Sequence, residues 1–287
     1  MLKRKIYDTL LEWKNEPRVE GVKDCLLVNG ARQVGKTFII NQFGEKEYKA
    51  YYQLNFVLNP ELKEIFSGSL DASTIYNNMS AHISGFEIIP GETLIFLDEI
   101  QVCGNARTAL KSLAMDDRCD IITSGSLLGL RYGTDGDNEV EEIVSYPVGY
   151  ERQVTMYPLD FEEFVWALGY KSSQIELIKE YFDKKEKVPD TVNRKWEKMF
   201  REYIVVGGMP KVVQAYLDSN NHNVAEKEQS KILDSYKEDI AKHAKGANKA
   251  KVRKCYDTIP SILAKENKKF KYGDIVQRKG STYRHKA

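Results

Sequence analysis

The sequence has few cysteines, no long apolar run and almost no net charge. Its four cysteines lie far apart and lack the paired spacing of metal-binding motifs, which argues against a zinc site and indicates a reducing compartment. No stretch approaches the roughly 20 apolar residues of a membrane-spanning helix, and no apolar run follows the basic N-terminus as it would in a signal peptide. These absences predict a soluble, cytoplasmic protein without a membrane partner.

Charge is distributed unevenly along the chain. The formal net charge of the 287 residues is only +1, which excludes a strong overall field toward DNA or anionic lipid. Residues 241–287, however, carry 14 Lys and Arg against 3 Asp and Glu, a net of +11 that leaves −10 for residues 1–240. This split favours a basic C-terminal module that faces nucleic acid or the acidic body, and a solvated lysine-rich surface is the alternative.

Apolar segments of strand length alternate with segments of helical pattern through the first part of the chain. These segments of strand length are Cys25–Val28, Ala50–Phe56, Thr93–Leu97 and Asp120–Thr123, and Arg152–Tyr157 alternates as a strand does. Most of them are apolar on both faces, as strands of a parallel sheet covered on both sides are. We therefore predict an α/β fold in which helices cover both faces of a parallel sheet.

A second, mostly helical part is predicted after this sheet. The length of the chain favours two domains, and the highly charged segment from Asp183 to Arg194 is typical of a linker. The pattern is helical from Trp196 onward, with an interruption at Gly207–Pro210. We therefore predict domains at residues 1–190 and 191–287.

The segment GARQVGKT fits the Walker A phosphate-binding pattern at every fixed position. An apolar strand precedes it and a helical pattern follows it, which is the context that this motif of P-loop NTPases requires. In such a loop the backbone amides point at the β-phosphate, the lysine reaches the β- and γ-phosphates, and the threonine hydroxyl ligates Mg²⁺. The predicted nucleotide-binding residues here are Gly30, Ala31, Arg32, Gln33, Val34, Gly35, Lys36, Thr37 and Phe38.

Asp98 and Glu99 follow the most continuous apolar strand of the chain and form the second half of the predicted site. Two adjacent carboxylates at the end of a buried strand are costly unless a cation offsets them. We assign Asp98 to the metal, together with Thr37, and Glu99 to the orientation or activation of the attacking water. A kinase does not need a water-activating carboxylate there, and the guanine-reading sequence Asn-Lys-x-Asp is absent, so hydrolysis of ATP is favoured.

Two further features extend the candidate site. Ser124 and Ser126 close another buried strand, where a polar side chain would sense the γ-phosphate, and an ordinary Ser-Gly-Ser turn is the alternative. An arginine is expected to neutralise charge in the transition state. Arg152 is our candidate for this catalytic role, with Arg131 and Arg107 as alternatives, and a surface ion pair is the competing interpretation for each.

These stretches resemble a family of prokaryotic AAA-type ATP-binding proteins, in which a P-loop ATPase domain precedes a C-terminal domain of unknown function. The resemblance is carried by NGARQVGKT at Asn29–Thr37, LIFLDEIQ at Leu94–Gln101, TSGSLLG at Thr123–Gly129, YPLDFEEF at Tyr157–Phe164, GGMPKVV at Gly207–Val213 and SYKEDIAKHA at Ser235–Ala244. It implies an AAA-like ATPase core followed by a helical segment similar to a winged helix-turn-helix. By position, Lys36, Thr37, Asp98 and Glu99 keep the roles assigned above.

The end of the chain departs from that family. The segment Lys251–Val276 looks like the start of a helix-turn-helix, with a core of Ile262, Leu263, Phe270 and Ile275. The sequence stops at Ala287, before a complete recognition helix and wing and before the nuclease-like region of longer members. We therefore expect a C-terminally shortened member with an incomplete winged-helix domain.

Two classes of function follow from these observations. The first is an Mg²⁺-dependent ATPase that acts as a molecular switch or motor-like regulator, with ATP and Mg²⁺ as its cofactors. The second is a nucleic-acid-binding module, in which the basic C-terminal segment contacts DNA and ATP is a structural or regulatory ligand. Self-association, and a member that binds nucleotide without turnover, stay open at this stage.

Overall fold

The computed structural model describes residues 2–126, 149–243 and 248–270, in which strands alternate with helices up to residue 156 and helices follow after it. The strands in these ranges are β1 (Cys25–Gly30), β2 (Ala50–Asn55), β3 (Thr93–Asp98), β4 (Asp120–Ser126) and β5 (Glu151–Met156). The α-helices are α1 (Ile6–Asn15), α2 (Lys36–Glu47), α3 (Ala72–His82), α4 (Gly104–Ala114), α5 (Phe161–Ala167), α6 (Ser172–Asp183), α7 (Asp190–Val206), α8 (Pro210–Ser219), α9 (His222–His243) and α10 (Asn248–Leu263). Short 3-10 helices lie at Pro60–Phe66 and Ile100–Val102.

The described strands form one sheet in the order β2-β3-β4-β1-β5. Each neighbouring pair is parallel, so the carboxyl ends of these strands lie along one edge of the sheet. Strands β1 and β3 are buried along their whole length, which explains why their sequences are apolar at successive positions rather than at alternate ones. The predicted α/β fold with a parallel sheet is confirmed.

Helices cover both faces of the sheet. Successive residues of a strand point to opposite faces, and neighbours in β1 accordingly belong to different core clusters. Leu27 packs in a cluster with Met79 of α3 and Leu110 of α4, whereas Val28 packs in a second cluster with Phe43 of α2. Apolar packing therefore covers both faces of β1.

The helices after the sheet differ in part from the sequence-based prediction. Helix α6 is absent from that prediction, and α7 begins at Asp190, so the end of the predicted linker is helical. Further along α7, Trp196, Phe200 and Tyr203 pack against Phe161 of α5, and this apolar face stabilises the helix. Helix α7 ends before Gly207 and α8 begins at Pro210, as the predicted interruption requires.

The chain consists of two compact units. The first ends at Ala225, and the second begins at Glu226. The domain boundary near residue 190 therefore stays a prediction. Within the second unit, Ile262 and Leu263 of the predicted helix-turn-helix core end α10, and Ile275 lies outside the described residues. The winged helix also stays a prediction.

In the ranges that the structure describes, no helix has both the length and the apolar character to cross a bilayer.

A buried cluster of charges closes the amino end of β4. The Asp120 carboxylate accepts hydrogen bonds from Lys23 Nζ at 2.9 Å, from Arg18 Nη2 at 2.8 Å and from the Tyr48 hydroxyl at 2.7 Å. Burial lowers the pKa of Lys23, and the neighbouring Asp120 carboxylate opposes that shift. These contacts tie the segment before β1 to the start of β4.

We expect Asp120→Asn to lower the free energy of unfolding by about 3 kcal/mol, because two largely buried cations then lose their shared carboxylate. Asp117→Asn changes an exposed aspartate in the same turn and is the control. Its effect should stay below about 0.5 kcal/mol. Urea unfolding followed by circular dichroism measures both variants, and equal stabilities would contradict a stabilising role for the cluster.

Candidate functional site

A tight loop joins the carboxyl end of β1 to the start of α2. Strand β1 ends at Gly30 and α2 begins at Lys36, so the predicted phosphate-binding residues form this loop and the first turn of the helix. Gly35 has a φ of 94° and Gln33 a φ of 66°, left-handed conformations that curl the chain. A Cβ on Gly30 would clash with the Met156 carbonyl oxygen at the end of β5. The packing of two neighbouring strands therefore requires glycine at this position.

The loop has a buried base and an open face. Val34 is wholly buried, whereas Ala31 and Arg32 are exposed. Phe38, in the first turn of α2, has 62% of its surface exposed. The open face is the side from which a ligand can approach the backbone of the loop.

Lys36 folds back over the start of the loop. It is buried, and its Nζ donates hydrogen bonds to the carbonyl oxygens of Gly30 at 3.1 Å and Ala31 at 2.8 Å. Burial lowers the pKa of Lys36, and the carboxylates of Glu99 and Asp98 oppose that shift. A bound anion would offset the cost of burying this ammonium group.

Asp98 is the centre of a polar network at the carboxyl edge of the sheet, and only 1% of it is exposed. The Thr37 hydroxyl donates to its carboxylate, with Oγ1 lying 3.1 Å from Oδ2 and 3.2 Å from Oδ1. The wholly buried Ser124 hydroxyl donates to the same carboxylate. The structure thus brings together the phosphate loop, the end of β3 and the end of β4.

Two residues of β2 that the sequence analysis does not single out belong to the same network. Asn55 Nδ2 donates to Asp98 Oδ2 at 2.7 Å, and Gln53 Nε2 donates to the same oxygen at 3.1 Å. Asn55 lies opposite Asp98 in the register of β2 and β3. A polar residue at a strand end is the signal that identifies Asp98, and Asn55 carries the same signal. The sequence alone does not show that β2 lies beside β3.

Glu99 follows β3 in a left-handed conformation with a φ of 57°. Its backbone N–H donates to Ser124 Oγ at 3.4 Å, and its carboxylate accepts a hydrogen bond from Gln101 Nε2. A residue other than glycine in this conformation costs on the order of 1 kcal/mol, and such strain clusters at functional sites. The left-handed turn ends the strand and keeps Glu99 at the same edge as Asp98.

Arg152 lies at the other end of the sheet. It is in register with Leu26, and β1 runs about 13 Å further before it reaches Gly30. Its guanidinium pairs with Glu16, with Nη1 2.7 Å from Oε1. Within one chain Arg152 is therefore not near the phosphate loop. The prediction that this arginine lies at the site is corrected accordingly. An ion pair is the role that the geometry supports.

Arg107, one of the two alternative arginines, lies away from the loop as well. Arg107 forms a buried ion pair with Glu151, the first residue of β5, with Nη2 3.2 Å from Oε2. This pair also lies at the amino end of the sheet. Arg131 and the side chain of Ser126 lie outside the described residues.

The donors around Asp98 suit a hard divalent cation. The hydroxyl oxygen of Thr37 and the carboxylate oxygens of Asp98 converge to 3.1–3.2 Å. Mg²⁺ prefers such oxygen ligands and in nucleotide sites completes its shell with water and phosphate oxygens. The residues present therefore fit Mg²⁺ that is bound together with a nucleotide.

Solved structures similar to this chain have low sequence identity to it. The AMPPCP-bound DnaA from Aquifex aeolicus is 12% identical, with a TM-score of 0.43, over 92% of this chain and 78% of that one. PCH-2 from C. elegans is 14% identical, with a TM-score of 0.36, over 77% and 65%. A signal transduction ATPase with numerous domains and a tetratricopeptide repeat sensor, from Pyrococcus horikoshii, is 16% identical, with a TM-score of 0.35, over 80% and 35%. None of the curated proteins matches the sequence.

Two family models match the sequence. The model of an AAA domain matches residues 22–165, which is half of the chain and contains β1 to β5 and the whole polar network around Asp98. A model described as a domain of unknown function matches residues 197–286. The predicted boundary near residue 190 falls between the two matches. The chain thus belongs to the AAA domain family, and in it a domain of unknown function follows the AAA domain.

Proposed function

We propose that the chain binds ATP together with Mg²⁺ and hydrolyses it, and that this cycle serves as a molecular switch. The observation that carries the proposal is the contact between Thr37 and Asp98, which joins the phosphate loop to the end of β3 across the intervening strand β4. A nucleotide-bound Mg²⁺ needs a loop hydroxyl and a strand-end carboxylate at one point. Membership of the AAA domain family supports the same conclusion.

Each part of the site has a distinct task in this proposal. The loop amides bind phosphate oxygens, and Lys36 neutralises charge on the β- and γ-phosphates. Thr37 and Asp98 hold Mg²⁺, which when bound polarises the phosphoryl group that is transferred to water. Glu99 orients or activates the attacking water. Ser124 contributes by holding the Asp98 carboxylate and the Glu99 backbone in place.

The choice of ATP over GTP rests on the sequence. A guanine-specific site usually reads the base through Asn-Lys-x-Asp, and the chain has no such segment. Calorimetric titration with ATP and with GTP in the presence of Mg²⁺ tests this choice directly. We expect tighter binding of ATP, and weaker binding of ATP when EDTA removes the metal.

Asp98→Asn tests the metal site. We expect the variant to bind Mg²⁺-ATP about tenfold more weakly and to lose most of the difference between Mg²⁺ and EDTA, because a neutral amide is a poorer Mg²⁺ ligand than a carboxylate. Asp117→Asn, at an exposed position on the amino side of β4, is the control. Phosphate release by the wild-type protein, measured with and without duplex DNA, also shows whether DNA affects turnover. A folded wild-type protein that does not bind ATP would overturn the proposal.

A further inference from the structure

Arg4 connects three segments behind the phosphate loop. It lies just before α1, and 6% of it is exposed. Its Nη1 donates to the Val34 carbonyl oxygen at 3.1 Å, and its Nη2 donates to the Tyr157 carbonyl oxygen at 2.6 Å. Its Nε lies 3.2 Å from Glu163 Oε1. One guanidinium therefore contacts the phosphate loop, the segment after β5 and helix α5.

The carboxylate opposite Arg4 is held in place by a helix cap. Glu163 Oε1 accepts a hydrogen bond from the Lys5 backbone N–H at 2.7 Å, and Oε2 accepts one from the Asp160 backbone N–H at 3.1 Å. Asp160 Oδ1 in turn accepts from the Glu163 backbone N–H at 2.8 Å, which completes a capping box at the start of α5. Arg4 thus pairs with a carboxylate of defined orientation rather than with a mobile surface group.

The bond to Val34 sets the orientation of one peptide group in the loop. The peptide between Val34 and Gly35 is trans, as are all the peptide bonds that the structure describes. Its C=O and N–H therefore point in opposite directions. Because Gly35 has no Cβ, this peptide plane could rotate with little steric cost. The bond from Arg4 selects the orientation in which the Gly35 N–H points away from the guanidinium.

We infer that Arg4 is a positioning residue for nucleotide binding, which holds the Gly35 N–H in the orientation that receives a phosphate oxygen. The inference rests on the proposed function, because that function assigns the loop amides to phosphate. Arg4 acts through the backbone of the loop and needs no contact with the nucleotide. It lies outside residues 22–165, the part of the chain that matches the AAA domain model. A segment that precedes the domain thus completes its phosphate loop.

Arg4→Lys tests this role. Lysine keeps a positive charge opposite Glu163 but lacks the planar fork that reaches two carbonyl oxygens at once. We expect the affinity for Mg²⁺-ADP to fall about tenfold, as for the loss of one charge-assisted hydrogen bond. In ¹⁵N-labelled protein, the Gly35 amide resonance should move less on ADP binding in the variant than in the wild type. The Gly44 amide, inside α2, should behave alike in both.

Arg107→Lys is the matched control. Arg107 and Glu151 form an ion pair with the same 3.2 Å separation as Arg4 and Glu163, and the side chains of both pairs are 5–6% exposed. The control pair lies at the amino end of the sheet, away from the loop. Both substitutions are expected to lower thermal stability, whereas only Arg4→Lys should lower the affinity for ADP.

Equal ADP affinity in the two folded variants would overturn the inference and leave the proposed function intact. A wild-type protein without affinity for ADP would overturn both, and the wild-type titration separates the two cases. Should Arg4→Lys not fold, Glu163→Gln takes its place, because it removes the charge that holds the Arg4 guanidinium while the amide oxygen can still accept from the Lys5 N–H. Unchanged ADP affinity in that folded variant would contradict the inference.

Discussion

Lys36→Ala is expected to lower the affinity for ATP about a hundredfold, because it removes a buried cation that would face the phosphates at close range. The unliganded protein should keep its stability. Burial lowers the pKa of Lys36, so the ammonium group is itself costly to hold in the fold, and this cost offsets the loss of its two hydrogen bonds. Calorimetric titration with Mg²⁺-ATP and thermal unfolding without nucleotide measure the two effects separately.

Lys49→Ala is the control for this variant, since Lys49 is exposed just before β2, at the amino end of the sheet. Its ATP affinity should equal that of the wild type. Unchanged affinity in a folded Lys36→Ala variant would show that the phosphates are bound elsewhere.

Glu99→Gln is expected to reduce ATP turnover about a thousandfold while ATP binding persists. The amide has the shape of the carboxylate but cannot accept a proton from the attacking water. The Asp98 carboxylate accepts hydrogen bonds from the Thr37 and Ser124 hydroxyls and not from residue 99, so these bonds stay intact in the variant. Steady-state phosphate release and retention of ATP on the purified protein give the two readings.

Glu186→Gln, at an exposed position after α6, is the control for this change. Turnover that survives in both Lys36→Ala and Glu99→Gln would mean that the hydrolysis does not come from this site. Loss of binding as well as turnover in Glu99→Gln alone would instead assign Glu99 to the structure of the site.

The parallel sheet is predictable because each strand carries its own local signal. Strands β1 and β3 are apolar at successive positions and buried along their length, a pattern typical of strands covered on both faces. The helices are less predictable where charge dominates. The segment up to Arg194 has the composition of a linker, yet α7 begins at Asp190, because the apolar face that stabilises this helix lies beyond the charged segment.

The motif residues of the site can be predicted from the sequence, but the residues that contact them from other strands cannot. Lys36 and Thr37 belong to the phosphate-binding motif, whose residues are neighbours in the sequence. Asp98 ends a strand of mostly apolar residues. Asn55 donates to Asp98 only because β2 lies beside β3 in register. No local pattern contains that pairing.

The sequence by itself determined the phosphate loop and the paired carboxylates, because the information for each lies within about ten neighbouring residues. It also determined the parallel sheet, through strand segments that are apolar on both faces and alternate with helical segments. The tertiary structure decided that Arg152 pairs with Glu16 at the far end of the sheet and that Arg4 bonds to Val34 of the loop. These roles depend on strand order and on contacts between distant segments. The role of such a side chain follows from its tertiary contacts, which form only when the chain folds.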